Sequence, residues 1–230
     1  MATFVLVHGG WMGGWSWRDV APPLRRLGHE VHTPTLTGLG DRADLLTGDV
    51  SAETHARDVA EVLYFEDVRD AVLVGHSYAG VVVTLAAERC PERIGHLVYL
   101  DAMVPDDGQR LVDIMPTEAV QWIRSQRRGS VWTHPPMAMA LEGAGGADPS
   151  WFADRLVPQP ANDVEVPIRL PARAAERLRR TYVACTKSRL NAMFADVTSG
   201  DGWERRELAT DHFPMLSDPG ALVALLGDLA

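Results

Sequence analysis

Val74-Gly75-His76-Ser77-Tyr78-Ala79-Gly80 is the stretch that decides the fold. Before it, Asp70 to Val74 is a short apolar run of the kind that forms a buried strand. After it, Ala79 to Cys90 reads as an apolar helix. A serine at such a turn occupies a nucleophile elbow when the residues two places to either side are small, because the strained backbone brings its neighbours close together. Gly75 and Ala79 meet that need. In this geometry Ser77 Oγ projects at the carboxyl end of the sheet, and the N–H of Tyr78 at the helix start can donate to an oxyanion.

Working outward, Thr3 to His8 reads as a first buried strand, ended by Gly9-Gly10, and His29 to Thr33 as a second. Between them Ser16 is expected to cap a helix with Trp17, Val20, Leu24 and Leu27 on one face, stopped at Gly28 and kinked or broken at Pro22-Pro23. Ala52 to Phe65 reads as a helix and Leu97 to Leu100 as the fourth strand. Strands alternating with helices imply a parallel sheet covered on both faces. The pattern fails from Pro105 to Pro171, which holds nine of the fifteen prolines. It resumes with strands at Tyr182 to Cys185 and Trp203 to Leu208 and a closing helix from Pro219 to Leu229. One domain over residues 1–230, with an insertion at 105–171, follows.

Two further segments fall at the same sheet edge. His8-Gly9-Gly10-Trp11 ends the first strand, where glycines let backbone N–H groups face a ligand, and Gly10 is the second expected oxyanion donor. Asp211-His212-Phe213-Pro214 lies between the last strand and the last helix, which is the place for a general base at His212. The other seven histidines (His8, His29, His32, His55, His76, His96 and His134) read as structural.

Composition excludes several functions. The chain has 230 residues, 46% hydrophobic and 23% charged, with a net charge of −9, which opposes binding to a nucleic-acid backbone. The single lysine, Lys187, leaves almost no candidate for Schiff-base chemistry. Cys90 and Cys185 sit in apolar stretches, and no disulfide or metal framework is visible. Neither a signal segment nor an apolar run of about 20 residues is present, so a cytoplasmic protein without membrane attachment is the expectation.

The chain resembles the α/β-hydrolase fold superfamily, in the branch of plant methylesterases, salicylate-binding esterases, hydroxynitrile lyases and their bacterial esterase relatives. The resemblance covers nearly the whole length. It rests on Val5-Leu6-Val7-His8-Gly9-Gly10, Gly14-Trp15-Ser16-Trp17, Gly75-His76-Ser77, Leu97-Val98-Tyr99-Leu100-Asp101-Ala102 and Asp211-His212-Phe213-Pro214-Met215-Leu216. It implies a mostly parallel sheet flanked by helices, a small cap formed by residues 105–171, Ser77 as nucleophile, His212 as base, and Gly10 and Tyr78 as oxyanion donors. The lyase branch carries a threonine where this chain has Gly9 and a lysine where it has Phe213, so hydrolysis is the better inference.

The same resemblance exposes a departure. The family places its triad acid just after the strand corresponding to Thr181–Thr186, where this chain continues Lys187-Ser188-Arg189. A carboxylate in that role fixes the tautomer of the base, and its loss costs about 10⁴-fold in rate. Asp101 is the first relocated candidate, because it ends the fourth strand at the catalytic edge and keeps the chain order Ser, Asp, His. Against it, relatives that retain the usual acid share the Leu-Asp-Ala sequence. Asp196 and Asp211 are weaker alternatives.

The insertion carries Trp122, Trp132 and Trp151 with Met115, Met137 and Met139, which fit either an apolar pocket or simple packing. Trp11, Trp122, Trp132 and Phe213 are the expected substrate contacts. The leading expectation is a serine hydrolase acting on a carboxylic ester or lactone of a small, apolar or aromatic compound, without cofactor or metal. Its partner is a small-molecule substrate, and a homodimer is left open. The alternatives are a tailoring enzyme that cyclises, eliminates or rearranges with His212 as acid–base, and a binding protein that has lost turnover.

Overall fold

Strand β1 (Thr3–Val7) is followed by β2 (Glu30–His32), β3 (Ala71–His76) and β4 (Ile94–Leu100). The short β5 (Arg127–Arg128), β6 (Val131–Trp132) and β7 (Gln159–Pro160) come next, then β8 (Arg179–Cys185) and β9 (Trp203–Leu208). The computed structural model describes residues 1–115, 117–129, 131–132, 149–160, 164–188 and 202–230. Among them, six strands form one parallel sheet in the order β2-β1-β3-β4-β8-β9. This is the α/β arrangement expected from alternating strand and helix patterns.

Side-chain alternation along the strands divides the core into two layers. On one face Val5, Leu73, Tyr99 and Ala184 pack with helices α2 (Ala52–Phe65) and α3 (Ala79–Arg89). On the other, Phe4, Leu6, Val98 and Val183 pack with α1 (Ala21–Arg26) and the C-terminal helix, which is numbered below. Helix α2 starts at a capping box: Ser51 Oγ accepts from Thr54 N–H, and Thr54 Oγ1 accepts from Ser51 N–H. It buries Ala52, His55, Ala56, Val59 and Leu63, one stripe of its surface. Helix α3 is apolar over most of its circumference, and every residue from Ala79 to Ala87 is buried.

The segment around Ser16 differs from the sequence expectation. Ser16 caps no helix. It lies in a 3-10 turn, Gly14–Trp17, and its hydroxyl donates to the Gly13 carbonyl. Helix α1 begins only at Ala21, so Pro22-Pro23 occupies its first turn and initiates the helix instead of kinking it. First-turn N–H groups have no acceptor within the helix, so proline forfeits nothing there. Trp17, Val20 and Leu24 are buried as expected, whereas Leu27 follows the last helical residue and is 62% exposed.

Between β4 and β8 the described chain forms α4 (Thr117–Gln126), α5 (Pro149–Ala153) and an antiparallel sheet in the order β5-β6-β7. None of its described residues joins the parallel sheet. The chain ends with α6 (Pro214–Ser217) and α7 (Pro219–Asp228), the C-terminal helix of the second core layer. No helix among the described residues is long and apolar enough to cross a membrane.

Register fixes where the functional residues emerge. His76 pairs with Leu100 and Leu100 with Val183, so β3 and β4 end at one level beside β8, and the residues following β3 and β4, Ser77 and Asp101, leave neighbouring strands side by side.

Candidate active site

Ser77 has φ +56°, in the left-handed region that side chains avoid. The conformation is held from both sides: Ser77 N–H donates to the Leu100 carbonyl, and Met103 and Gly80 N–H donate to the Ser77 carbonyl. Two glycines make the turn sterically feasible. A Cβ on Gly75 would sit 2.6 Å from the Ala79 carbonyl oxygen, and one on Gly80 would sit 2.1 Å from that of Met103. The small-residue requirement read at position 75 is therefore a contact between strand and helix backbones.

Asp101 also has positive φ, +43°, and its N–H donates to the Val183 carbonyl at 2.8 Å. Aspartate tolerates this region better than most residues. The bend directs its fully buried carboxyl group towards the loop after β9. There His212 Nδ1 lies 2.7 Å from Asp101 Oδ2, and His212 Nε2 lies 2.9 Å from Ser77 Oγ. A carboxylate only accepts, so the imidazole proton belongs on Nδ1 and the Nε2 lone pair faces the serine hydroxyl. His212 is itself buried, with 1% of its surface exposed.

The loop holding His212 is fixed through its backbone. His76 Nε2 donates to the His212 carbonyl at 2.7 Å, and Asp211 Oδ1 accepts from Phe213 N–H and Ser217 Oγ. Asp211 thus shapes the turn and does not meet the imidazole. The turn after β8 is closed by hydrogen bonds from Thr186 and Lys187 N–H to the carbonyls of Leu208 and Thr210. Lys187 is exposed on it and Ser188 is buried, so no carboxylate stands at residues 186–188. Burial, reinforced by the negative charge of Asp101, pushes the Cys185 thiol up to about 12 and raises the Tyr182 phenol further.

Around this group His8 and His76 are held in neutral forms. Leu36 N–H donates to His8 Nε2, leaving Nδ1–H to donate to the Gly9 carbonyl. Burial lowers the His8 imidazolium pKa to about 4. Burial, and then the neighbouring His212, holds His76 well below the usual histidine range. A Cβ at Gly9 would come within 2.8 Å of His76 Nδ1 and 3.1 Å of Ser77 Cβ, so glycine there lets the first loop approach the elbow. His55 bridges the Tyr78 hydroxyl and the Thr37 carbonyl.

A narrow cleft opens beside Ser77 and His212, walled by Gly10, Trp11, Met12, Phe152, Leu156 and Phe213. Gly10 N–H has no acceptor among the described residues, and a Cβ at Gly10 would lie 3.8 Å from Tyr78 Cβ, which brings the two expected oxyanion donors together. Trp11 and Phe213 line the cleft. Trp122 reaches it only through Trp11, edge-on at a centroid distance of 6.3 Å. Trp151 instead packs on Trp15 beneath Arg18 and Arg155, and Met115 packs against the core. The Trp132 side chain, His134, Met137, Met139 and Asp196 lie outside the described residues. Phe152, Leu156 and Met12 were not anticipated at the cleft: they sit in no motif, and only the apolar context of Trp151-Phe152 hinted at one of them.

Residues 4–225 match the Alpha/beta hydrolase family. A carbendazim hydrolyzing esterase from Nocardioides sp. (strain SG-4G) is 36% identical over the whole of both chains. Methylesterase 9 of Arabidopsis thaliana is 26% identical over 96% of this chain and 95% of its own. The solved structure of an extracellular alpha/beta-hydrolase from a Paenibacillus species superposes with a TM-score of 0.88 at 24% identity, covering 99% of this chain and 98% of that one. A family match over nearly the full length, on a sheet and elbow of the same architecture, means that the chain belongs to the alpha/beta hydrolase family.

Proposed function

We propose that the protein is an esterase that cleaves a carboxylic ester or lactone through an acyl-enzyme on Ser77. The observation that carries this reading is His212 suspended between Ser77 Oγ at 2.9 Å and Asp101 Oδ2 at 2.7 Å. With Nδ1–H committed to Asp101, Nε2 takes the serine proton as Oγ attacks the acyl carbon. The tetrahedral oxyanion is received by the N–H groups of Gly10 and Tyr78. Nε2–H then protonates the departing alkoxide, and water repeats the sequence to release the acid. Residues 105–171 serve as the cap, contributing Phe152 and Leu156 to the apolar wall of the cleft, which favours an uncharged substrate. The esterases among its relatives support the same reaction class, and carbendazim belongs in the first substrate panel because one of them hydrolyses it.

Both the tailoring-enzyme and binding-protein readings drew on the missing acid after β8. The carboxylate 2.7 Å from Nδ1 favours the esterase reading over both. The test is labelling by a fluorophosphonate, with p-nitrophenyl acetate as turnover substrate. Wild-type protein is expected to give one covalent adduct at Ser77 and a burst of p-nitrophenol, both abolished by Ser77→Ala. Folded wild-type protein that takes no label and shows no turnover would overturn the esterase reading.

A further inference from the structure

Gln159 lies in β7 with only 1% of its surface exposed, and one end of its amide is already committed. Trp11 N–H donates to Gln159 Oε1 at 3.0 Å. Because an N–H only donates, the carbonyl end of the amide must face Trp11, which turns Nε2 away from it. Nε2 is buried and has no acceptor among the described residues. A buried amide donor left without a partner is unfavourable, so the position calls for an acceptor.

The surroundings set where the amide lies. A Cβ built on Gly10 would lie 3.4 Å from Gln159 Oε1 and 3.7 Å from Cδ, with Tyr78 Cβ 3.8 Å from the same point. The amide therefore lies with Oε1 and Cδ against Gly10, which in turn lies against Tyr78, the other residue assigned above as an oxyanion donor. Its placement is rigid: Val157 N–H donates to the Trp11 carbonyl at 3.0 Å, so residues 157 and 159 grip both backbone groups of Trp11, which is held at φ +60°. No contact joins Gln159 to His212 among the described residues, and His212 is the group that handles the departing alcohol.

We propose that Gln159 is a specificity-determining residue whose side-chain NH₂ donates to a hydrogen-bond acceptor on the acyl half of the substrate, close to the reacting carbonyl. The preferred substrates are then esters whose acyl chain carries an oxygen or nitrogen acceptor next to the carbonyl, over plain alkanoyl esters of the same shape. The proposal rests on the esterase reading above, since it takes Gly10 and Tyr78 as the seat of the acyl oxygen.

The experiment compares p-nitrophenyl methoxyacetate with p-nitrophenyl butyrate. The two share a leaving group and differ by an ether oxygen in place of a methylene. The ratio of their kcat/KM values in wild type is set against that in Gln159→Met, which removes both amide functions at similar volume, and Gln159→Glu, which keeps an acceptor for Trp11 N–H. Intrinsic reactivity cancels in this double ratio. The expected result is that both variants lose about 3- to 10-fold more on the methoxyacetate than on the butyrate, the worth of one neutral hydrogen bond. An equal loss on both esters would make Gln159 a tether of the Trp11 loop and overturn the proposal, as would no loss on either. Wild-type protein inactive on both esters would overturn the esterase reading and this one together, whereas activity on both with an unchanged ratio overturns this one alone.

Discussion

Asp101 follows β4 with a fully buried carboxyl group that faces His212 Nδ1. Its neighbours Leu100 and Ala102 belong to a strand end, and its place in the chain order Ser, Asp, His was readable. The Leu-Asp-Ala sequence shared with relatives that keep the usual acid left its role open, and position alone does not show its 2.7 Å contact with a residue 111 positions away. Replacing it by asparagine keeps the shape but presents either an amide N–H or a neutral carbonyl to Nδ1. The imidazole then loses the charge that holds its proton on Nδ1 and stabilises the imidazolium. Asp101→Asn is expected to lower kcat by about 10³–10⁴-fold with KM little changed, as measured by steady-state hydrolysis of p-nitrophenyl acetate. A loss below tenfold would show that another group supports His212. Ser77 and His212 were legible because each stands in a short motif at a predicted strand end. Phe152, Leu156 and Gln159 were not, because nothing local marks a residue that comes near the site only when a distant segment folds over it.

At the scale of elements, the elbow depends on how closely α3 approaches β3 and the chain after β4. Sequence showed this through Gly75 and Ala79, yet the tighter contact is at Gly80, where a Cβ would stand 2.1 Å from the Met103 carbonyl oxygen. Backbone cannot swing aside as a flexible side chain can. Met103 is moreover hydrogen-bonded to the Ser77 carbonyl, so any shift is transmitted to the nucleophile. Gly80→Ala is expected to destabilise the protein by about 1–3 kcal/mol or more, read from the urea midpoint, and to slow Ser77 labelling. Gly227→Ala in α7 is the contrasting case: nothing lies within 4 Å of its added Cβ, and the helix gains a better former, so a stabilisation of about 0.4–1 kcal/mol is expected. Equal effects of the two substitutions would mean that backbone propensity, and not the approach of α3, governs these positions. The sequence pattern placed most elements within a few residues but misread Pro22-Pro23. The periodicity of Trp17, Val20 and Leu24 continues through a 3-10 turn and a separate helix, and burial of these side chains does not require one continuous helix.

For the whole molecule, the distribution of buried histidines sets the response to acid. His8 and His76 are buried and neutral, and each lends its N–H to a carbonyl that closes the site: Gly9 for His8, His212 for His76. Burial lowers the pKa of His8 from 6.5 to about 4 and that of His76 well below its ordinary value. In the unfolded chain both titrate near 6.5, so between pH 6.5 and 4 the unfolded state binds more protons than the folded one, and stability rises with pH in that window. Above pH 6.5 both states are neutral at these positions and the contribution is fully present. It is lost as the pH falls through the folded pKa, by about 3 kcal/mol for His8 alone at 1.36 kcal/mol per pKa unit. His96, whose pKa is lowered by burial and by Arg179, adds in the same direction. Urea unfolding followed from pH 8 to pH 4 is therefore expected to show a plateau down to about pH 6.5 and then a steep decline that begins before most carboxylates titrate. His8→Gln is expected to be less stable than wild type at pH 8, since it disturbs the pairing with Leu36 and Gly9, but to have a shallower decline between pH 6.5 and 4. A variant profile parallel to that of wild type would assign the acid sensitivity to other groups.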